Sequence, residues 1–179
     1  MKRKKLLNLL HSYLPTYPEE IFYKEKLIEF VEAHENCFER SLEVGHITGS
    51  SWLLNWNRSK ALLLLHAKLN IWVQPGGHCD GESDVLQVAL KEAREESGID
   101  EIVPVMEEIF DLDIHDSPAM GSLNKHVHYD VRFLLQCTSD RDPVLNHEVK
   151  ALKWVRIEEA VFHQKPSLAR MFHKWSNHV

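Results

Sequence analysis

The segment "WVQPGGHCDGESDVLQVALKEAREESGI", Trp72 to Ile99, restricts what this chain can fold into more than any other. Asp84, with Gln87 three residues on, makes a helix start of the capping-box kind, and Gly98 followed by Ile99 supplies a left-handed stop with its hydrophobic contact. Between those ends, a period of about 100° per residue gathers Leu86, Ala89, Leu90 and Ala93 on one side and Glu92, Glu95 and Glu96 on the adjoining one. The apolar side must pack. The acidic side needs its own explanation, because like charges three and four apart destabilise an isolated helix by roughly 0.2–0.5 kcal/mol per pair. Lys91 and Arg94 offer one balance, as in any solvated charged face. A hard divalent cation offers another: Mg2+ prefers oxygen ligands and is typically shared between carboxylates and a substrate phosphate. Ahead of the helix, Pro75, Gly76 and Gly77 predict a sharp turn whose exposed backbone lets an ion or phosphate approach closely.

The rest of the chain predicts an α/β domain with helices in front. "PEEIFYKEKLIEFVEAHENCFER" carries Pro18 and two acids at its start, then Ile21, Leu27, Phe30 and Val31 at helical spacing, which predicts a long helix from Glu19 to Arg40 behind a shorter one. The texture changes near Gly45, so 1–44 is expected to be a helical N-terminal extension and 45–179 the main domain. "HITGSSWLLNW", "KALLLLHA" and "IWVQ" then read as short strands, "IFDLDIH" and "HVHYDVRFLLQC" as longer ones, and "ALKWVRI" as the last. "DSPAMGSLNK" and "DRDPVLNHEV" read as loops, and a closing helix is expected from about Pro166 to His173. Strands flanked by a central and a terminal helix point to a layered α/β architecture.

On "HVHYDVRF", strand alternation puts His126, His128, Asp130 and Arg132 on one face and Val127, Tyr129, Val131 and Phe133 on the other. The polar row either lines a ligand cleft, with Arg132 offered to phosphate and the histidines to sugar or phosphate oxygens, or forms an outward sheet face under solvent or the closing helix. His126 and His128 lack a Cys or His partner at diagnostic spacing, so the sequence does not predict a structural zinc site. His78 follows the glycines and is placed against phosphate. Cys79 has no triad partner nearby, so covalent catalysis is not expected.

The segment "GGHCDGESDVLQVALKEAREESGI" resembles the signature of the Nudix hydrolase family, matching it at Gly77, Glu92, Glu95, Glu96, Gly98 and Ile99. Two positions depart: Ser83 stands where the first Glu is expected, and Lys91 where Arg is expected, with Glu82 one residue away from the missing acid. The order of strands, acidic helix and "LKWV" extends the likeness over most of the chain after Gly45, and "HVHYDVRF" with the helical extension resembles a bacterial-type subgroup. The resemblance implies a Nudix-like α/β/α sandwich with a mixed sheet. It also implies Mg2+-dependent, or Mn2+-supported, hydrolysis of the pyrophosphate bond in a nucleoside diphosphate linked to another group. Glu92, Glu95 and Glu96, with the carbonyl of Gly77, would hold the metal. Glu95, Glu96 or Glu148 would serve as general base. The alternative is a catalytically silent sensor of the same fold: retention of Glu92, Glu95 and Glu96 favours the enzyme, while the departures at Ser83 and Lys91 keep the sensor open.

The formal charge of -6 disfavours nonspecific nucleic-acid binding, so the expected partner is a small-molecule nucleotide. The longest aliphatic run, "ALLLL", is far short of the roughly 20 residues of a membrane-crossing helix. No membrane partner is expected. Three widely spaced cysteines suit a reducing, cytoplasmic compartment, and the long second helix is a candidate homodimer interface.

Overall fold

The computed structural model describes residues 2–117, 125–146, 149–156, 158–159 and 166–177. Two helices come first, α1 (Lys4–Ser12) and α2 (Pro18–Ala33), followed by strands β1 (Gly45–Leu54), β2 (Lys60–His66), β3 (Trp72–Val73) and β4 (Gly76–His78). The acidic helix is α3 (Val85–Ser97). After it come β5 (Ile102–Pro104), β6 (Asp111–Ser117), β7 (His126–Cys137), β8 (Val149–Arg156) and α4 (Pro166–Ser176). The strands hydrogen-bond in the order β3-β2-β1-β7-β5, with β4 also paired to β1, β6 to β7 and β8 to β2.

The chain divides into two compact units that interleave along the sequence: 1–50, 77–89 and 107–133 in the first, 51–76, 90–106 and 134–179 in the second. Residues 1–44 therefore fall inside the first unit, together with the start of α3 and the β6–β7 pair. Leu6, Leu10, Leu27 and Val31 are buried there, and the Phe30 ring stacks on Tyr129 with centroids 3.9 Å apart. The buried Glu20 carboxylate fastens the start of α2: it accepts N–H bonds from Thr16 (2.9 Å) and Tyr17 (3.0 Å), and the Tyr13 hydroxyl. Orphan donors at a helix start are thereby satisfied.

Helix α2 ends at Ala33 rather than near Arg40, because His34 is extended and the chain turns through 35–38. Cys37 and Phe38 are buried by that turn, whose Cys37 carbonyl accepts the Ile47 N–H at 2.8 Å. Ile21, counted on the apolar face of the expected helix, is exposed.

In the second unit β2 is the apolar centre, with Leu62, Leu63 and Leu64 buried, β3 on it and β8 paired along it antiparallel from Lys60↔Arg156 to His66↔Val149. The α4 residue Phe172 sets its ring edge-on to Trp52 at 4.8 Å, and Trp175 joins the same cluster. Helix α4 runs to Ser176, three residues beyond the expected end. Strand β5, which the sequence did not suggest, pairs antiparallel with the end of β7 from Ile102↔Cys137 to Pro104↔Leu135. Gly76 and Gly77 form no turn. They lie in β4, paired to β1, and the bend falls at Pro75.

Candidate active site

Helix α3 keeps the ends the sequence gives it. It starts after Asp84, and Gly98 (φ +67) follows its last residue, donates its N–H to the Arg94 carbonyl, and leads into the buried Ile99. Leu86, Ala89, Leu90 and Ala93 are all buried, as periodicity predicts.

The three acids are not equivalent. Glu96 is only 9% exposed, and its Oε2 accepts the backbone N–H of Gly76 at 2.9 Å. This bond ties the helix to the residue preceding Gly77 and fixes the orientation of the carboxylate. Glu92 is part-buried. Glu95 is 57% exposed at its side chain, while its carbonyl accepts the Asn146 side-chain N–H at 2.9 Å.

Lys91 sits between two of these acids, its Nζ 3.2 Å from Glu92 and 3.3 Å from Glu95. Both carboxylates push its pKa up, Glu92 more strongly. The departure from Arg thus does not prevent this position from reaching two carboxylates, although a single ammonium replaces the two-pronged guanidinium. Glu82, one residue from the expected first Glu, caps the loop instead: its Oε1 accepts the Asp84 N–H at 2.8 Å.

The first unit holds the polar row of β7, and its arrangement is not a free ligand-facing stripe. Arg132 is 2% exposed, and each of its three guanidinium nitrogens donates to a different aspartate: Nε to Asp130 at 2.7 Å, Nη1 to Asp111 at 3.0 Å and Nη2 to Asp113 at 2.8 Å. The register explains this, since Asp111 pairs directly with Arg132 and Asp113 with Asp130. Burial opposes the charge on Arg132, but Asp113, Asp130 and Asp111 more than offset it and hold its pKa above the ordinary value. The guanidinium expected to meet phosphate is committed to carboxylates. Asp130 is further bound by the hydroxyls of Thr48 (2.8 Å) and Ser50 (2.7 Å) from β1.

At the other end of the row His126 and His128 meet His46 of β1 and His78 of β4. The His126 and His128 Nε2 atoms lie 3.0 Å apart, and the His46 ring centroid is 4.7–5.1 Å from those of the other three. Burial, with the neighbouring histidines, lowers the pKa of His46 to about 4 and of His128 to about 2; burial is also the main cause lowering that of His78. These three rings are neutral at pH 7, so their charge is not available to phosphate. His46 escaped sequence reasoning. The signal was a second alternating polar row, His46, Thr48 and Ser50, in a strand otherwise read as core.

Cys79 is buried, and burial pushes its thiol pKa up, which suits packing and not nucleophilic attack. Glu148 lies outside the described residues. Among the described residues, no helix is long and apolar enough to cross a membrane.

The sheet with its acid-bearing helix matches a family model, and that match sets the class: hydrolases acting on phosphorus anhydrides. The chain belongs to the NUDIX family, whose domain model matches residues 49–175. Among solved structures it is similar to a NUDIX-family hydrolase from Clostridium perfringens, with TM-score 0.60 and 20% identity over 75% of this chain and 98% of that one. It is also similar to a C. elegans Ap4A hydrolase in a binary complex, with TM-score 0.59 and 21% identity over 74% of this chain and 96% of that one. The E. coli dihydroneopterin triphosphate pyrophosphohydrolase gives TM-score 0.56 and 14% identity over 74% and 96%. These likenesses bear on the fold, which is the expected α/β/α arrangement. No curated protein matches the sequence.

Proposed function

We propose that this chain hydrolyses the pyrophosphate bond of a nucleoside diphosphate linked to another group, using the acids of α3 to hold Mg2+, with Mn2+ as a substitute. The observation that carries this reading is Glu96: a nearly buried carboxylate with one oxygen bound by the Gly76 N–H. A group so placed is already oriented, and a preset ligand costs little to organise around an ion. Glu92 and Glu95 would complete the oxygen-donor set, whose chemistry fits a hard cation. When bound, such ions neutralise phosphate oxygens and lower the pKa of a coordinated water. The chain's own residues do the rest. Lys91 neutralises Glu92 and Glu95 in their absence and must yield both when metal enters. Glu95, the most exposed of the three, is the candidate to accept a proton from attacking water.

The same Lys91 favours the second reading, a silent sensor, in which its ammonium permanently replaces the metal. The finer readings that go with the enzyme are a small nucleotide as partner, a cytoplasmic location and a homodimer through α2.

The deciding assay compares nucleoside triphosphates, nucleoside diphosphate sugars and dinucleoside polyphosphates with and without Mg2+, on the unaltered chain and on Glu96→Gln. The amide oxygen of Gln can still accept the Gly76 N–H, so the variant should fold normally and lose at least about tenfold in rate. Unchanged turnover removes Glu96 from the site. No turnover of any substrate by the unaltered protein selects the sensor.

A further inference from the structure

We propose that His46, His78, His126 and His128 form a binding site for a zinc-type divalent transition metal, a second metal centre distinct in chemistry from the acids of α3. One nitrogen from each ring lies within 4.8 Å of all the others. A zinc–nitrogen bond of about 2.0–2.1 Å places tetrahedral ligands ~3.4 Å apart, so small ring rotations close the set, and the His126–His128 pair is already at 3.0 Å.

A second observation points to the same ligand. Nε2 of His78 is buried without a hydrogen-bond partner, and the two buried ring nitrogens of His46 have between them only a poorly formed contact with the Leu42 backbone. Buried polar atoms in native proteins are nearly always satisfied, and these need an acceptor, a donor or an ion. An ion satisfies a lone pair from every ring at once. The donor set also selects the ion: four imidazoles without a carboxylate suit zinc, copper or nickel and do not suit Mg2+.

The scaffold is built to hold such a site. The four rings come from β1 and from β4 and β7, each of which pairs with β1, so an ion would clip three strands that are distant in sequence. Behind the rings, Thr48, Ser50 and Asp130 lock the same stretch of β1 to β7 by two hydroxyl–carboxylate bonds. His46 is 1% exposed and His126 8%, while His78 and His128 are only half-buried and leave a way in. In place of separate contacts to substrate oxygens, the histidines act together. The ion's role is to fix His78, and with it the strand that carries Gly76 and Gly77.

The test reads metal content and coordination, not turnover, so it stands or falls independently of the hydrolase reading. Tag-free protein is stripped with a chelator and titrated with Zn2+. One zinc per chain should survive gel filtration, Co2+ should give the visible spectrum of a tetrahedral site, and X-ray absorption of the zinc form should show outer-shell scattering from imidazole rings. His46→Asn and His128→Asn should each weaken zinc binding by about tenfold or more. His173→Asn on the exposed part of α4, and the paired change Glu92→Gln with Glu96→Gln, should leave it unchanged. If the histidine variants do not fold, the absorption spectrum of the unaltered chain decides. An oxygen-dominated shell, no retained zinc, or zinc lost with the glutamates and kept without His46 overturns the proposal.

Discussion

At the scale of single residues, the arrangement around Arg132 shows how a charged group can be central to a protein without meeting its substrate. The three aspartates around it are buried, and removing the shared cation leaves their charges facing each other in a medium that screens poorly. Replacing Arg132 with Met should cost about 3–5 kcal/mol in urea unfolding, the usual penalty for breaking a buried ion pair from one side. Arg132→Lys should recover only part of this, since one ammonium cannot donate along three fixed directions. The sequence made the identity of these residues visible but not their destination. Alternation correctly grouped His126, His128, Asp130 and Arg132 on one face of β7. It could not show that β6 opposes that face with Asp111, Asp113 and His115, or that β1 supplies His46, Thr48 and Ser50. Three polar rows, each weak as a signal by itself, become one buried network only through strand pairing. By contrast, Glu92, Glu95 and Glu96 were legible because helical spacing and the bounding Gly98 are local.

Among the elements, contact between β1 and the start of α3 depends on a missing side chain. A Cβ added to Gly49 would lie 2.9 Å from the Val85 carbonyl and 3.1 Å from both Val85 Cγ1 and Val88 Cβ. Two of those neighbours belong to buried side chains and one to backbone, so neither can yield by rotating into solvent. Gly49→Ala should therefore destabilise the protein by about 1–3 kcal/mol, measured by thermal unfolding, as overpacking generally does. A midpoint equal to that of the unaltered chain would show that the helix shifts at no cost. Sequence reading found most elements because their periodicities are strong, and missed where they were weak. Three-residue β5 has too few positions to show a period, and Gly76–Gly77 read as a turn because glycine's freedom is visible in sequence while a strand partner is not. The end of α2 was also hidden, since residues 34–40 keep helix-compatible composition while Cys37 and Phe38 are drawn into the core by a turn.

On the scale of the whole chain, the helices before the change of texture near Gly45 share one compact unit with 45–50, 77–89 and 107–133. The first helices contribute Leu6, Leu10, Leu27, Phe30 and Val31 to the interior of the first unit, and the Phe38 carbonyl accepts the Gly81 N–H at 3.0 Å. Deleting residues 1–44 should thus abolish cooperative unfolding or leave the product insoluble. A truncated protein with a sharp thermal transition near that of the full chain would make the helices an accessory after all. The interleaving has a consequence for synthesis. A ribosome making this protein completes the first unit only when Phe133 has emerged, because β6 and the first half of β7 belong to it. Until then the apolar side chains of the leading helices have no permanent cover, and the nascent chain depends on holding factors or speed to keep them from neighbouring polypeptides.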